Sequence, residues 1–155
     1  MNKLVKLLFA SSFALILFQC APYQPEGQGV VGQVTWLEGN QMPMIVQEGK
    51  KSKKATVGEP VIRTVRIYPL MKISDVNLEN GLFKSVAAKP ITEIQSDENG
   101  QYTVSLSPGR YSVLTVEEGG LFASIFDGDG NIQPVTVKDG EWTLLDIIVN
   151  YKAAF

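Results

Sequence analysis

Short apolar runs alternate with turn-forming residues along most of this chain. From Val30 onward, β-branched and aromatic residues stand in small groups separated by Gly, Asn, Asp and Pro, and no stretch repeats apolar residues at helical spacing. Residues 102–106 alternate apolar and polar side chains, as in a strand with one buried face. The pattern predicts an all-β fold of about seven to eight strands.

The apolar runs predict eight strands, at residues 30–37, 61–68, 91–95, 101–106, 110–116, 121–126, 135–137 and 143–151. Two turns between them are well marked. Residues 97–100 end in Gly100, which tolerates a positive φ, and Pro108 sets the backbone angle of the turn at residues 107–109. Both turns are predicted to join hairpins.

Two longer insertions interrupt the strand pattern. Residues 39–58 contain the basic run at residues 50–54, Lys-Lys-Ser-Lys-Lys. That run indicates either a solvated loop or a contact with anionic lipid headgroups or polysaccharide. Residues 71–90 include Leu82 and Phe83, so we expect this insertion to fold back over a sheet.

The last predicted strand is apolar on both faces. Alternation places four of its side chains in the core: Leu145, Ile147, Val149 and Tyr151. It places a second apolar set on the opposite face, around Asp146: Trp142, Leu144 and Ile148. An outward apolar strip of this kind is either covered by the insertion at residues 71–90 or left free as a partner surface.

Composition removes most kinds of catalysis. The chain has no histidine and one cysteine, which excludes Ser-His and Cys-His catalysis and histidine metal sites. The acids stand in turns, such as Glu117-Glu118 and Asp97-Glu98, where solvated acids are normally found. We therefore predict no enzymatic activity and no cofactor. A hydrolase that uses a carboxylate pair is the alternative, and it would need two acids that converge in a pocket.

The first twenty residues have the form of a secretory signal. Lys3 and Lys6 precede an apolar run at residues 7–18, which is too short to span a membrane as a helix. Removal of residues 1–19 would leave 12 basic and 16 acidic residues, a net charge of −4. That charge gives no basic field for nucleic acid.

Cys20 follows the apolar run, with only Gln19 between them, and Leu17 stands three places before the cysteine. This arrangement resembles the lipobox of bacterial lipoproteins, although Gln19 replaces the small residue usual before the cysteine. The resemblance implies a signal peptide at 1–19, lipidation of Cys20 and a membrane anchor. The residue after the cysteine is Ala21 and not an acidic residue, an arrangement that resembles that of outer-membrane lipoproteins. Residues 20–29, rich in Pro and Gly, are then a flexible tether.

Residues 96–113, SDENGQYTVSLSPGRYSV, contain a recurring pattern of turn and core residues. The pattern is met by Ser96, Asp97, Gly100, Tyr102, Pro108, Gly109, Tyr111 and Val113. It resembles the signature of carboxypeptidase regulatory-like domains, which are transthyretin-like β-sandwiches. The resemblance implies a Greek-key sandwich over residues 30–155 and a non-catalytic module, as in small lipoproteins of Bacteroidetes-like bacteria.

Residue types suggest two candidate ligand sites, one for calcium and one for sugars. Asp127, Asp129 and Asn131 begin like a calcium-binding loop, but Ile132 and Lys138 stand where that motif needs glycine and a bidentate glutamate. A Gly/Asp-rich turn is the other reading. Trp36, Tyr68 and Trp142 are aromatic residues that could stack on sugars or belong to the core.

Together these patterns predict a lipid-anchored, non-catalytic β-sandwich of the cell envelope, facing the periplasm or the cell surface. Its role would be accessory, through an envelope protein or a polysaccharide. The first alternative is a carbohydrate-binding accessory lipoprotein, which would need a solvent-facing aromatic platform.

Overall fold

The computed structural model of the chain describes residues 27–42 and 58–154. The predicted signal peptide, Cys20 and the lysine-rich run at residues 50–54 lie outside these ranges. Within them the fold is all-β, as predicted, with one 3-10 turn at Ile73–Asp75. No helix among these residues has the length and apolar character needed to cross a membrane.

The strands are numbered in chain order. They are β1 (Gly29–Trp36), β2 (Gly39–Asn40), β3 (Glu59–Pro60), β4 (Thr64–Pro69), β5 (Val76–Glu79), β6 (Leu82–Val86), β7 (Thr92–Gln95), β8 (Gln101–Ser105), β9 (Gly109–Glu117), β10 (Gly120–Phe122), β11 (Pro134–Val137), β12 (Trp142–Leu144), β13 (Ile147–Val149) and β14 (Ala153–Ala154). The β2 and β14 strands form a separate parallel pair.

The first sheet is built around β1. One edge of β1 pairs in parallel with β12 over its first half and with β13 over its second half. The other edge pairs antiparallel with β8 and then with β3. Val30, Gln33 and Val34 thus lie at the centre of a narrow five-stranded sheet, with Val30 and Val34 fully buried.

The second sheet is wider and has the order β5-β6-β10-β9-β4-β7, with β11 beside the first half of β9. The long strand β9 is its centre, since it pairs with β4 on one edge and with β10 and β11 on the other. All pairs in this sheet are antiparallel.

The two sheets pack face to face around one core, the arrangement of a β-sandwich. Its buried residues come from both sheets: Val30, Val34, Val65, Ile67, Leu82, Tyr102, Val104, Leu106, Val113, Phe122, Val135, Val137, Ile147 and Val149. Because strands alternate their side chains between two faces, this set uses only one side of each sheet.

A second apolar cluster lies on the outer face of the second sheet. Its buried members are Tyr68, Met71, Phe83, Leu114, Leu121, Ala123 and Ile132. Three of them, Met71, Ala123 and Ile132, belong to connecting segments rather than strands. The second sheet is therefore covered on both faces by residues of the chain itself.

The two predicted turns are present, but the prediction that they join hairpins is wrong. Gly100 has φ 73° and its N–H donates to the carbonyl oxygen of Asp97. The strands on either side belong to different sheets, since β7 and β9 lie in the second sheet and β8 lies in the first. The turns at residues 97–100 and 107–109 thus carry the chain across the sandwich.

The predicted strand at residues 143–151 divides into β12 and β13. At the break, the hydrogen bonds to β1 are made by one backbone N–H and one side-chain carboxylate. Leu145 N–H donates to the carbonyl oxygen of Val31, and the Asp146 carboxylate accepts the Gln33 N–H at 2.9 Å. Because a side-chain oxygen takes the place of a backbone carbonyl, the Gln33 N–H keeps a partner at the break, and the register with β1 is the same on both sides of it. Similarly, the run at residues 121–126 stops at Phe122, and Phe126 forms only an isolated bridge with Ile132.

One alternative was that the insertion at residues 71–90 covers the last strand. That prediction is wrong. The insertion forms the β5–β6 hairpin and extends the second sheet beside β10. Leu82 enters the core between the sheets and Phe83 enters the outer cluster of the second sheet. The outer face of the first sheet receives neither side chain.

Candidate functional site

The outer face of the first sheet carries the strip that the sequence singles out. Leu144 is paired with Val31, and Ile148 with Thr35, so all four side chains lie on the face away from the core. Leu144 is 69% exposed and Ile148 is 47% exposed. Trp142, at the beginning of β12, is half-buried and approaches the Gly29 backbone.

This face is also nearly free of charge. Four of the five strands, β1, β8, β12 and β13, contain no Asp, Glu, Lys or Arg, and β3 carries the exposed Glu59. On β8 the outward side chains are Gln101, Thr103 and Ser105, all exposed. Asp146 interrupts the strip between β12 and β13, where its carboxylate accepts the Gln33 N–H. A sheet face with exposed aliphatic residues and almost no charge has the composition of an interface core.

The outer face of the second sheet differs in having charged side chains at its rim. A groove of about 370 Å³ lies there, with Tyr68, Phe83 and Leu121 among its lining residues together with Arg66 and Lys84. Both cations have partners within the fold. Arg66 Nε lies 2.9 Å from Glu93 Oε2, which raises the pKa of Arg66, and Lys84 Nζ donates to the Gly119 carbonyl oxygen at 2.8 Å.

An aromatic and ionic cluster lies where β1 ends. The rings of Trp36 and Tyr151 meet edge to face with centroids 5.4 Å apart. The Arg63 guanidinium lies 5.5 Å from the Trp36 ring centroid and the Lys152 ammonium lies 5.6 Å from it. Burial raises the pKa of Tyr151, and the charge of Glu117 adds to that shift. The Trp36 ring is thus engaged by two cations and one aromatic ring.

Glu117, at the end of β9, is the acid of this cluster. Its side chain is only 2% exposed, and its Oε2 lies 3.2 Å from Arg63 Nε. Its Oε1 is buried and has no hydrogen-bond partner by geometry among residues 27–42 and 58–154. The interpretation of Glu117-Glu118 as solvated turn acids is therefore wrong for Glu117, although Glu118 is exposed. A buried carboxylate held by one guanidinium is costly to unpair and fixes the end of β9 against the segment before β4.

Sequence reasoning did not find the Arg63–Glu117 pair. The two residues are 54 positions apart, and the antiparallel pairing of β4 with β9 brings them together. The identity of Glu117 as the inward residue could have been read from alternation along β9, because Tyr111, Val113 and Thr115 precede it at two-residue spacing.

The three aromatic candidates for sugar stacking do not form a common platform. Tyr68 is buried in the outer cluster of the second sheet. Trp36 contacts Arg63, Lys152 and Tyr151 near the end of β1. Trp142 lies at the opposite end of β1, beside Gly29. The structure thus separates these three rings, and a flat aromatic surface needs them side by side.

The Asp127 loop closes on itself. Asp127 Oδ1 accepts the N–H groups of Asp129 and Asn131 at 3.0 and 2.8 Å, and its Oδ2 accepts the Asn131 side-chain amide at 2.6 Å. These bonds, the Asn131 side chain first, lower the pKa of Asp127. Arg110 adds an ion pair at 3.5 Å. The carboxylate oxygens are already used by donors of the loop, as in a Gly/Asp-rich turn.

Within residues 27–42 and 58–154, no group of three or more acidic or cysteine side chains lies close enough to hold a metal ion. Cys20 and the basic run at residues 50–54 fall outside these ranges, so the site predictions made for them stay predictions.

Comparison of the chain with protein-family models, with curated proteins and with solved structures found no significant match.

Proposed function

We propose that this chain is a lipid-anchored, non-catalytic module of the bacterial cell envelope that acts by binding other envelope components. The anchor is Cys20, as the lipobox-like sequence around it indicates. The binding surface is the outer face of the first sheet, and its exposed apolar strip, Leu144 and Ile148 on either side of Asp146, is the observation that carries the proposal.

The proposal includes a transthyretin-like, carboxypeptidase regulatory-like sandwich placed in the outer membrane of a Bacteroidetes-type bacterium. The roles of the signature residues support it. Ser96 is buried, and its hydroxyl accepts the Arg63 N–H and donates to the Val61 carbonyl oxygen. Asp97 Oδ1 accepts the N–H groups of Asn99 and Gln101. These residues hold a turn between the two sheets.

The two signature tyrosines also serve the fold. Tyr102 is 2% exposed, and its hydroxyl donates to the Leu145 carbonyl oxygen at 2.6 Å, at the break between β12 and β13. Tyr111 is half-buried and donates to the Ser107 carbonyl oxygen at 2.8 Å. A signature made of turn and core residues fits a module whose function lies in its surface, since fold alone does not specify chemistry.

The two alternative functions have weaker support. A carbohydrate-binding role would use aromatic faces, and Trp36 already contacts Arg63 and Lys152. A hydrolase would use a pair of acids, and the buried carboxylate of Glu117 is held by Arg63. Both arrangements stabilise the domain in its present form, so neither favours a substrate.

Membrane fractionation of cells that express the full chain tests the anchor. We expect the wild type in the membrane fraction and Cys20→Ser in the soluble fraction, because a diacyl chain contributes about 0.8 kcal/mol per buried methylene. Mass spectrometry of the mature N-terminus should show Cys20 as the first residue with the mass of the lipid. Equal membrane retention of wild type and Cys20→Ser would refute lipid anchoring.

A further inference from the structure

We propose that the apolar strip of β12 and β13, Leu144 and Ile148 with Trp142 at its end, rests on the lipid surface that holds the anchor. This inference rests on the proposed function, because it requires Cys20 to be acylated. The membrane would then be bound twice, through the acyl chains and through the outer face of the first sheet.

The first argument is the reach of the chain before β1. Residues 21–28 join Cys20 to Gly29. A chain of that length spans at most about 30 Å when fully extended, at about 3.3–3.6 Å per residue. Gly29 pairs with Trp142 in the parallel ladder, and Val31 pairs with Leu144. The strip therefore begins at the strand position where the tether enters the domain, and the anchor holds it close to the bilayer.

The second argument is the chemistry of the face. The exposed side chains of Leu144 and Ile148 would leave water on contact with lipid, which is favourable for apolar surface. The strands β1, β8, β12 and β13 contain no charged residue. The exposed Asp146, between Leu144 and Ile148, is the charge that this contact would bring to the lipid headgroups. Trp142 is half-buried in the domain, and indole rings are favoured at the level of lipid headgroups. Asp146 has one carboxylate oxygen bonded to the Gln33 N–H.

The third argument is the effective concentration set by the tether. A few exposed aliphatic residues bind a bilayer weakly when the protein is free in solution. A short tether makes the same contact intramolecular, which raises its occupancy without new contacts. In this orientation the second sheet, with its groove at Tyr68 and Phe83, faces away from the membrane.

The test uses tryptophan fluorescence of the full acylated chain in phosphatidylcholine vesicles brominated in the upper acyl chain. The chain has two tryptophans, so Trp36→Phe leaves Trp142 as the only reporter. We expect bromine to quench about half of its emission, because an interfacial contact lies about 5–10 Å into the headgroup and acyl boundary. Trp142→Phe, which keeps Trp36, should show no quenching. If Trp36→Phe does not fold, wild type is compared with Trp142→Phe instead. The quenching that is present in wild type and lost in Trp142→Phe is then the part due to Trp142.

The double variant Leu144→Gln, Ile148→Gln should float with the vesicles through its anchor and lose the quenching. Ile91→Gln is the matched control, since Ile91 is 52% exposed but lies beside the second sheet, and it should keep the quenching.

Three results would overturn the inference: wild type that floats without quenching, quenching unchanged in the double variant, or crosslinked dimers through this face without quenching, which would assign it to a second copy. Wild type that does not float at all would instead refute the proposed anchor.

Discussion

The outer faces of the two sheets both carry apolar side chains, which are buried on the second sheet and exposed on the first. On the second sheet, Tyr68, Phe83 and Leu121 point away from the core and are almost completely buried. On the first sheet, Leu144 and Ile148 occupy the equivalent outward positions and remain exposed. The difference lies in which connections of the chain cross each face.

The second sheet is covered by two segments that bind each other. Ile73 N–H donates to the Gly130 carbonyl oxygen, and Ile132 N–H donates to the Met71 carbonyl oxygen, both at 2.9 Å. The hydroxyl of buried Ser112, on β9, accepts the Met71 N–H at 3.0 Å. The segments after β4 and after β10 are therefore fixed to the sheet and to one another.

No such segment crosses the first sheet among the described residues. Its strands β12 and β13 follow each other directly, turns from the second sheet lead to β8 and β12, and residues 37–58 link β1 to β3. Residues 43–57 of that link lie outside the described ranges. Within residues 27–42 and 58–154 the apolar strip of this face has no cover, and an exposed apolar strip is available to an external surface. The comparison teaches that outward apolar residues occur on both sheets, and that their burial or exposure follows from which described segments cross each face.

Phe83→Ala should have the largest effect on stability. The ring is 1% exposed and fills the outer cluster of the second sheet. Truncation of a buried aromatic residue costs about 3–5 kcal/mol, through lost burial and the cavity left behind. Urea titration of the soluble domain, residues 21–155, measures the loss. A cost below about 1 kcal/mol would show that the outer cluster is not a true second core and would remove the contrast between the faces.

Tyr102→Phe should change how stability depends on high pH. Burial, with a contribution from the charge of Asp146, raises the pKa of Tyr102 in the folded state. The unfolded tyrosine ionises near its ordinary pKa of about 10. The buried, neutral Tyr102 side chain therefore contributes its full stabilisation of the folded state below that pH, and this contribution is lost as the pH rises above it.

Wild-type stability should therefore fall about 1.4 kcal/mol per pH unit more steeply than that of Tyr102→Phe above about pH 10. At neutral pH the variant should lose about 1 kcal/mol, because the Leu145 carbonyl oxygen loses its donor at the break that positions the strip. Parallel slopes at pH 10–11.5 in urea titrations would place the Tyr102 hydroxyl in solvent.

Leu144→Gln should leave the free energy of unfolding within about 0.5 kcal/mol of wild type, because surface substitutions away from special features have effects of this size. The side chain is 69% exposed, so little apolar area is lost. Thr103→Val, on the same face, is the matched control. A loss near that of Phe83→Ala would mean that residue 144 is covered by the domain itself, and the two faces would then be alike.

The sequence predicted the fold class because strand alternation is a local property. The burial of Ile147 and Val149 and the exposure of Leu144 and Ile148 follow directly from two-residue periodicity. What alternation cannot specify is the partner of each strand. The predicted hairpins at residues 97–100 and 107–109 failed for this reason, since a tight turn between strands serves equally well to cross between sheets.

The candidate site was predictable only in part. The outward strip could be listed from the sequence, but the exposure of Leu144 and Ile148 could not be, because the insertion at residues 71–90 could have packed on either sheet. The burial of Glu117 depends on Arg63, which the β4–β9 register supplies from a distant part of the chain. Long-range pairing of this kind leaves no periodic trace in one sequence.

Added calcium should not change the thermal stability of the domain, which is the smallest effect among these predictions. The Asp127 loop supports the cover of the second sheet, since Asn131 bridges to Lys72 and Ile132 enters the outer cluster. Its carboxylate oxygens already accept the donors of Asp129 and Asn131. The place of the bidentate ligand is held by Lys138, a cation.

A ligand at a hundredfold excess over its Kd would stabilise the native state by about 2.7 kcal/mol, a clear rise in Tm. Thermal melts of the soluble domain in millimolar calcium and in chelator should therefore coincide. If calcium raised Tm and Asp127→Asn abolished the rise, the cover of the second sheet would be a ligand-dependent element. The contrast between the two faces would then depend on calcium, since only the loaded protein would have a firmly covered second sheet.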